Sequence, residues 1–243
     1  GVLTLTLTRP QARNARSGEM NAALAGKLGR AELAPEVKCV VLTGAGKGFC
    51  AGMDLKAFVT GERPWVGDRG FAGIVQRSAR KPLIAAVEGF AVAGGLEVAL
   101  ACDLLVAGRD AKLGIPEVKR SLVAAGGALL RLPQRIPYGL AMELALTGEL
   151  IDAERAHAVG LVDRLGEPGG AVDAALELAA QIARNGPLAL MATKEILASA
   201  RDWDQREFWE RQGVLSAPVF SSSDAREGAT AFAEKRDPVW TGT

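Results

Sequence analysis

A single histidine, His157, stands among 243 residues. One imidazole excludes a histidine-rich metal centre, and a Ser-His-Asp triad would have to be built on this residue. His157 sits in "DAERAHAVGLV", a short alanine-rich helical stretch ended by Gly160, and reads as a surface side chain. Acid–base chemistry therefore falls to carboxylates. Cysteine is scarce as well. Cys39, Cys50 and Cys102 are an odd set in apolar or loop surroundings, so they read as free thiols in a reducing, cytoplasmic setting rather than as a disulfide framework. Neither sign of charge dominates: 29 Lys and Arg face 28 Asp and Glu, and the formal net charge is +1. No basic field points to nucleic acid or to a membrane surface. No apolar run of about 18 residues free of charge is present, so no membrane span is expected. What is abundant is apolar side chain, at 49%, enough for one large core or a core with a smaller appendage.

The first residues, "GVLTLTLTRP", alternate Leu3, Leu5 and Leu7 with Thr4, Thr6 and Thr8, the period of a half-buried strand. A targeting segment upstream stays open. Residues 18–33 carry Met20, Leu24, Leu28 and Leu33 near helical spacing and end at Pro35. "VKCVVLTG", "KPLIAAVEG" and "LLVAG" read as strands, and "AKLGIPE" as a short strand ended by Pro116. "GGLEVALACD" reads as a buried helix. Residues 58–70 are a glycine- and proline-rich loop, 71–80 a helix, and 126–146 one or two helices interrupted at Pro133 and Pro137. From Gly170 onward strand patterns vanish and four helical patterns follow. The chain is an α/β protein with a helical C-terminal part, and its alternation fits stacked β-β-α turns or a doubly wound sheet.

Chemistry concentrates in three places. The first is "GAGKGFCAGMDLKAF" (44–58), a glycine-rich loop running from a strand toward a helix. It fails the phosphate-loop pattern, because no hydroxyl residue follows Lys47, and it fails the dinucleotide pattern, because position 49 is Phe. A helix start at Gly52-Met53-Asp54 remains. There the first N–H groups lack intrahelical partners, so the Met53 N–H is free to donate to a developing negative oxygen whatever its side chain; a plain structural turn is the alternative. The second is "AVEGFAVAGGLEVALACDLLVAG" (86–108), where Gly94 and Gly95 open a helix that carries Glu97 among Leu96, Val98 and Ala99. A carboxylate in apolar surroundings is costly and has its pKa raised. Such a group serves proton transfer, or else a structural ion pair. Asp103 closes the same helix as a turn anchor. The third is "AKLGIPEVK", in which Pro116 fixes the backbone before Glu117 at a strand end, either over a site or in a solvated loop.

Together these segments resemble the enoyl-CoA hydratase (crotonase) family. The likeness also runs through "TRPQARNA" (8–15), "LGIPEVKRSLVAAGGALLRLP" (113–133), "ALTGELIDAERAHAVGLVDRL" (145–165) and "FAEKRDPVWTG" (232–242), nearly the whole chain. It implies a spiral of β-β-α units over residues 1–168 and a helical trimerisation region over 169–243, assembled as a homotrimer or a dimer of trimers. It implies an acyl-CoA thioester substrate, with no metal and no cofactor beyond the coenzyme A that the substrate carries. The family's oxyanion hole maps onto the N–H groups of Met53 and Gly94, and the glutamate pair of its hydratases onto Glu97 and Glu117. Its CoA contacts map onto Ala12, Arg13, Ala51, Asp54, Leu55 and Pro116; Lys47, Lys56 and a neighbouring subunit's Lys235 are set against the CoA phosphates, or else are plain surface charges. Thr8 stands where the family commonly has Asn. Ala124-Ala125-Gly126-Gly127-Ala128 stands where it often has Gly-Ala-Gly-Gly, which leaves acyl chain length open.

The activity expected from the glutamate pair is addition of water across the 2,3 double bond of a 2-enoyl-CoA to give a 3-hydroxyacyl-CoA. The alternatives are an enoyl-CoA isomerase or another CoA lyase of the same fold, and a non-catalytic acyl-CoA-binding protein.

Overall fold

The computed structural model describes residues 1–243. Its first strand, β1 (Val2–Leu7), is an edge strand that buries Leu5 and Leu7 and turns Thr4 and Thr6 to solvent, as the alternation predicts. Helix α1 (Gly18–Leu33) starts at Ser17, whose side chain accepts from the Met20 N–H. It buries Leu24, Ala25, Leu28 and Ala31, whereas Leu33 is 84% exposed. The apolar stripe therefore ends on Ala31, one helical turn after Leu28, rather than on Leu33.

Strands β2 (Cys39–Gly44) and β3 (Leu83–Val87) have no polar face to show, because both of their faces are covered. β4 (Phe90–Val92) follows, then helix α3 (Gly94–Leu100), which the short helix α2 (Leu55–Val59) precedes in the chain. β5 (Leu104–Gly108) and β6 (Lys112–Gly114) repeat the strand pair, and a 3-10 turn at Pro116–Arg120 comes next. The remaining elements are α4 (Ala128–Arg135), α5 (Tyr138–Thr147), β7 (Ile151–Asp152), α6 (Ala153–Ala158), β8 (Arg164–Gly166), α7 (Ala171–Ala183), α8 (Pro187–Ser199), α9 (Gln205–Phe220) and α10 (Ser223–Glu234).

The strands form two sheets. The larger is wholly parallel in the order β1-β2-β3-β5-β8; the smaller is β4-β6-β7, with β4 and β6 parallel and β7 antiparallel. Successive turns of chain place one strand in each sheet and then a helix. Isolated parallel bridges, Cys50 to Ala91 and Arg16 to Met53, extend the smaller layer to the earlier turns. This is the β-β-α spiral, and the doubly wound alternative falls, because that would put all strands in one sheet.

One face of the large sheet packs through Leu42, Ala85 and Leu105 into the central core with Leu28, Leu96 and Leu100. Its other face, through Val41, Ile84 and Val106, is covered by Ala175, Leu178 and Ala179 of α7. So α7, which the sequence reading groups with residues 169–243, lies against the sheet of residues 1–168. Helices α8 and α9 have no buried residue, and α10 has only Asp224 and Ala231.

Two expectations need correction. No helix forms over 71–80. Ala72 and Gly73 have φ of 56° and 70°, outside any right-handed helix, and Gly73 is pressed against Ala25 and the Asn21 carbonyl of α1. The segment's first residue, Phe71, is instead bridged to Trp65 of the preceding loop. The break between α4 and α5 falls at Pro137 alone, while Pro133 lies inside α4.

Candidate active site

The loop after β2 and the turn before α3 are built against each other. A Cβ on Gly95 would fall on the Cys50 carbonyl oxygen. One on Gly52 would lie 2.9 Å from the Gly94 nitrogen, and Gly52 has a φ of 96° that glycine alone adopts freely. This contact sets the Met53 and Gly94 backbones side by side. Neither N–H donates to a backbone or side-chain acceptor of the protein. For Gly94 the cause is its place at the start of α3. For Met53 it is the bridge to Arg16: Arg16 donates to the Gly52 carbonyl at 2.8 Å and Asp54 donates to the Arg16 carbonyl at 3.2 Å, which leaves the intervening N–H pointing away.

Ala93, the residue before Gly94, has φ 53° and ψ −132°. A non-glycine residue there stores about 1–3 kcal/mol of strain. Its N–H donates to the Gly114 carbonyl at 2.9 Å, so the strained turn is pinned to β6. The sequence holds no sign of this strain, because alanine is not a residue that advertises a positive φ.

Glu97 sits one turn into α3 and is 4% exposed. Its Oε1 accepts from the Gly126 N–H at 2.6 Å and the Ala128 N–H at 3.3 Å. Burial raises its pKa, and those two N–H groups and the Arg131 guanidinium pull it back. A Cβ on Gly126 would collide with Glu97 Oε2, so the glycine is what admits the carboxylate. Glu117 lies in the 3-10 turn after β6. Its Oε2 is buried without a hydrogen-bond partner, and its pKa is pushed up to about 7, first by burial and then by the charge of Glu97, against the pull of its own N–H and Arg120.

Both carboxylates, Met53 and Gly94 line one cavity of about 360 Å3. Phe58, Trp65, Phe71, Val92, Leu122 and Val123 supply its apolar walls, and Arg13 and Arg120 its cations. Arg13, Ala51, Leu55 and Pro116 line it too. Ala12, Lys47, Asp54, Lys56 and Lys235 do not. Asp54 is occupied otherwise: it caps α2 through the N–H groups of Lys56 and Ala57 and pairs with Arg9 at 3.1 Å. Lys47, Lys56 and Lys235 are exposed. The single histidine is exposed on α6, its Nδ1 2.9 Å from the Val162 carbonyl, away from the cavity. Asp103, expected to anchor a turn, instead accepts from the Leu83 N–H at the start of β3 and pairs with Lys194 of α8.

The cavity thus unites two free N–H donors, two carboxylates and an apolar slot. The profile of the enoyl-CoA hydratase/isomerase family matches residues 1–243. The chain belongs to this family. It is similar to the enoyl-CoA hydratase EchA19 of Mycobacterium tuberculosis, at 44% identity over 97% of this chain and 91% of the relative. It is also similar to a carnitinyl-CoA dehydratase of Salmonella paratyphi A, at 41% over 99% and 95%. Among solved structures, that of an enoyl-CoA hydratase from Mycobacterium tuberculosis H37Rv superposes with a TM-score of 0.97 at 54% identity, covering 100% of this chain and 96% of the other. The enoyl-CoA hydratase/isomerase fold is therefore the fold of this chain. The loop 58–70, with Phe58 and Trp65, was expected as a pocket wall, and both residues line the cavity; what neither the family likeness nor the spacing of residues foretold is the strained Ala93.

Proposed function

We propose that the protein is an enoyl-CoA hydratase that adds water across the 2,3 double bond of a 2-enoyl-CoA thioester. The observation that carries the reading is the pairing of a buried carboxylate, Glu97, and a half-buried one, Glu117, with two unsatisfied N–H groups in one apolar cavity. The thioester oxygen takes hydrogen bonds from the Met53 and Gly94 N–H groups, which stabilise the enolate that forms there; such donors contribute about 3 kcal/mol each. Glu97, whose Oε1 accepts from the Gly126 and Ala128 N–H groups, takes a proton from water as it attacks the β-carbon. Glu117, which lacks a donor for its inner oxygen, is kept protonated and delivers its proton to the α-carbon. No metal takes part, and no cofactor beyond the coenzyme A of the substrate.

In the same reading Arg13, Ala51, Leu55 and Pro116 meet the pantetheine end of the substrate from the cavity, and Ala12 and Asp54 shape the loops beside it. Lys47 and Lys56 meet CoA phosphates from outside, and Lys235 does so from a neighbouring copy. Residues 1–168 form the catalytic core, and residues 169–243 make the contacts of a homotrimer or a dimer of trimers in the cytoplasm. No helix is long and apolar enough to cross a membrane.

The test is turnover of 2-enoyl-CoAs of graded length, followed through loss of the conjugated thioester absorbance and identification of the product. A 3-hydroxyacyl-CoA supports hydration. A shifted double bond without a hydroxyl would make the protein an isomerase, and tight binding without turnover would make it a carrier.

A further inference from the structure

Arg16 is 1% exposed, and neutral groups alone hold its guanidinium. Nε donates to Asn21 Oδ1 at 2.7 Å, Nη2 to the Met20 carbonyl at 3.2 Å, and Nη1 meets no acceptor. Burying a guanidinium without a carboxylate is costly, and a well-packed apolar side chain would be the cheaper filling. The position of Arg16 shows what the charge is tied to. Its backbone flanks Met53 on both sides, through Gly52 and Asp54.

Its side chain leads the other way. Asn21, 0% exposed, donates from Nδ2 to the Pro64 carbonyl at 2.9 Å. The same carbonyl accepts from the Ala72 N–H at 3.1 Å. Between these points lie Trp65 and Phe71, bridged to each other with ring centroids 5.9 Å apart, and both rings face the cavity. Phe71 in turn rests on the second donor: a Cβ on Gly94 would lie 2.6 Å from Phe71 Cζ. A closed ring of contacts runs from Met53 through Arg16, Asn21, Pro64 and Phe71 to Gly94. The two N–H donors are its ends, joined directly by the close approach of Gly52 to Gly94, and the apolar wall is part of it.

We propose that Arg16 and Asn21 are positioning residues that couple the Trp65–Phe71 wall to the Met53 and Gly94 donors, so that the length of the acyl group is expressed in the alignment of the donors and hence in kcat. The proposal rests on the reading of Met53 and Gly94 as an oxyanion hole. Binding energy from the unreactive end of a substrate raises the rate only if it is realised at the reacting centre, and a rigid link of this kind realises it. Small misplacements of a donor are enough to matter.

The link is cut with one change of atom by Asn21→Asp, which keeps an oxygen toward Arg16 but loses the NH2 that donates to Pro64. Arg16→Met removes the guanidinium at similar length, and Arg16→Lys keeps the charge without the paired geometry. The probes are 3-ketoacyl-CoA thioesters of four and ten carbons, whose enolate form absorbs in the near ultraviolet and reports donor strength without turnover. In the native protein the ten-carbon probe should be held as enolate about tenfold more strongly than the four-carbon probe. In Asn21→Asp and Arg16→Met that advantage should shrink below about twofold, with Arg16→Lys between, and kcat on enoyl-CoAs should follow the same pattern while KM stays within about threefold.

An advantage preserved in Asn21→Asp, an equal loss at both chain lengths, or a change confined to KM overturns the coupling. Should Arg16→Met not fold, Asn21→Asp and Arg16→Lys decide. A native protein with no enolate band at either length overturns the oxyanion reading and the coupling with it. A normal band with its chain-length dependence but no hydration of any enoyl-CoA leaves the coupling standing and removes only the hydratase reading.

Discussion

Two glutamates in one cavity have unequal surroundings, and the proposed division of labour between them follows from that. Glu97 accepts two N–H groups and faces Arg131; Glu117 has an inner oxygen with no donor. Glu97→Gln and Glu117→Gln should each lower kcat by about 10²–10⁴-fold in a conjugated-thioester assay, and full activity in either variant would remove that residue from the chemistry. If Glu117 works protonated, as proposed, kcat/KM should fall as pH rises through about 7, and the fall should vanish in the residual activity of Glu117→Gln. The same shift bears on stability. A native pKa of about 7 lies above the ordinary 4.5, so the folded state binds the proton more tightly. The stability this contributes is complete below about pH 4.5 and lost as pH rises through about 7. Glu117→Gln should thus melt higher than the native protein at pH 8, with the gap closing below pH 5; a gap independent of pH would contradict this.

At the level of elements, the site is the meeting of two strand-to-helix turns, and glycines set how close they come. Gly126→Ala should leave the protein folded but displace the Glu97 carboxylate, because the new methyl meets the end of a side chain rather than backbone. Activity should drop with little change in KM, and a crystal structure would show the rotated carboxylate. Ala93→Gly tests the strained turn. It should relieve strain and raise stability by about 1 kcal/mol in urea unfolding, while kcat falls because the Gly94 N–H is held less firmly. A variant that is more stable and equally active would show that the strain serves no catalytic purpose.

Taken whole, the molecule covers its sheet well and its C-terminal helices poorly. Trp209, Phe220 and Phe232 on α9 and α10 are 65%, 80% and 87% exposed. Large apolar side chains exposed together in this way mark a contact surface. In keeping with the proposed trimer, light scattering should give the mass of three or six chains, and Phe220→Asp with Phe232→Asp should lower it to one. A native monomer at micromolar concentration would overturn the trimer.

Much of this was legible in the residues themselves. The Leu–Thr alternation of β1, the unbroken apolar runs of β2 and β3, and Glu97 isolated on an apolar helix follow from local pattern, because burial on one face or two dictates which residues a strand or helix tolerates. So does the failure of the glycine loop as a phosphate site. The short strands β4, β7 and β8 were not legible, since two or three residues carry no period. Nor was the irregular path of 71–80, whose composition mimics a helix and whose Gly73 packs against α1, although the loop 58–70 was legible as a pocket wall. The strain at Ala93, the empty side of Glu117 and the ring from Arg16 to Gly94 belong to the tertiary structure alone. They depend on which backbone presses on which across stretches of chain far apart in sequence, and contacts of that kind leave no local mark.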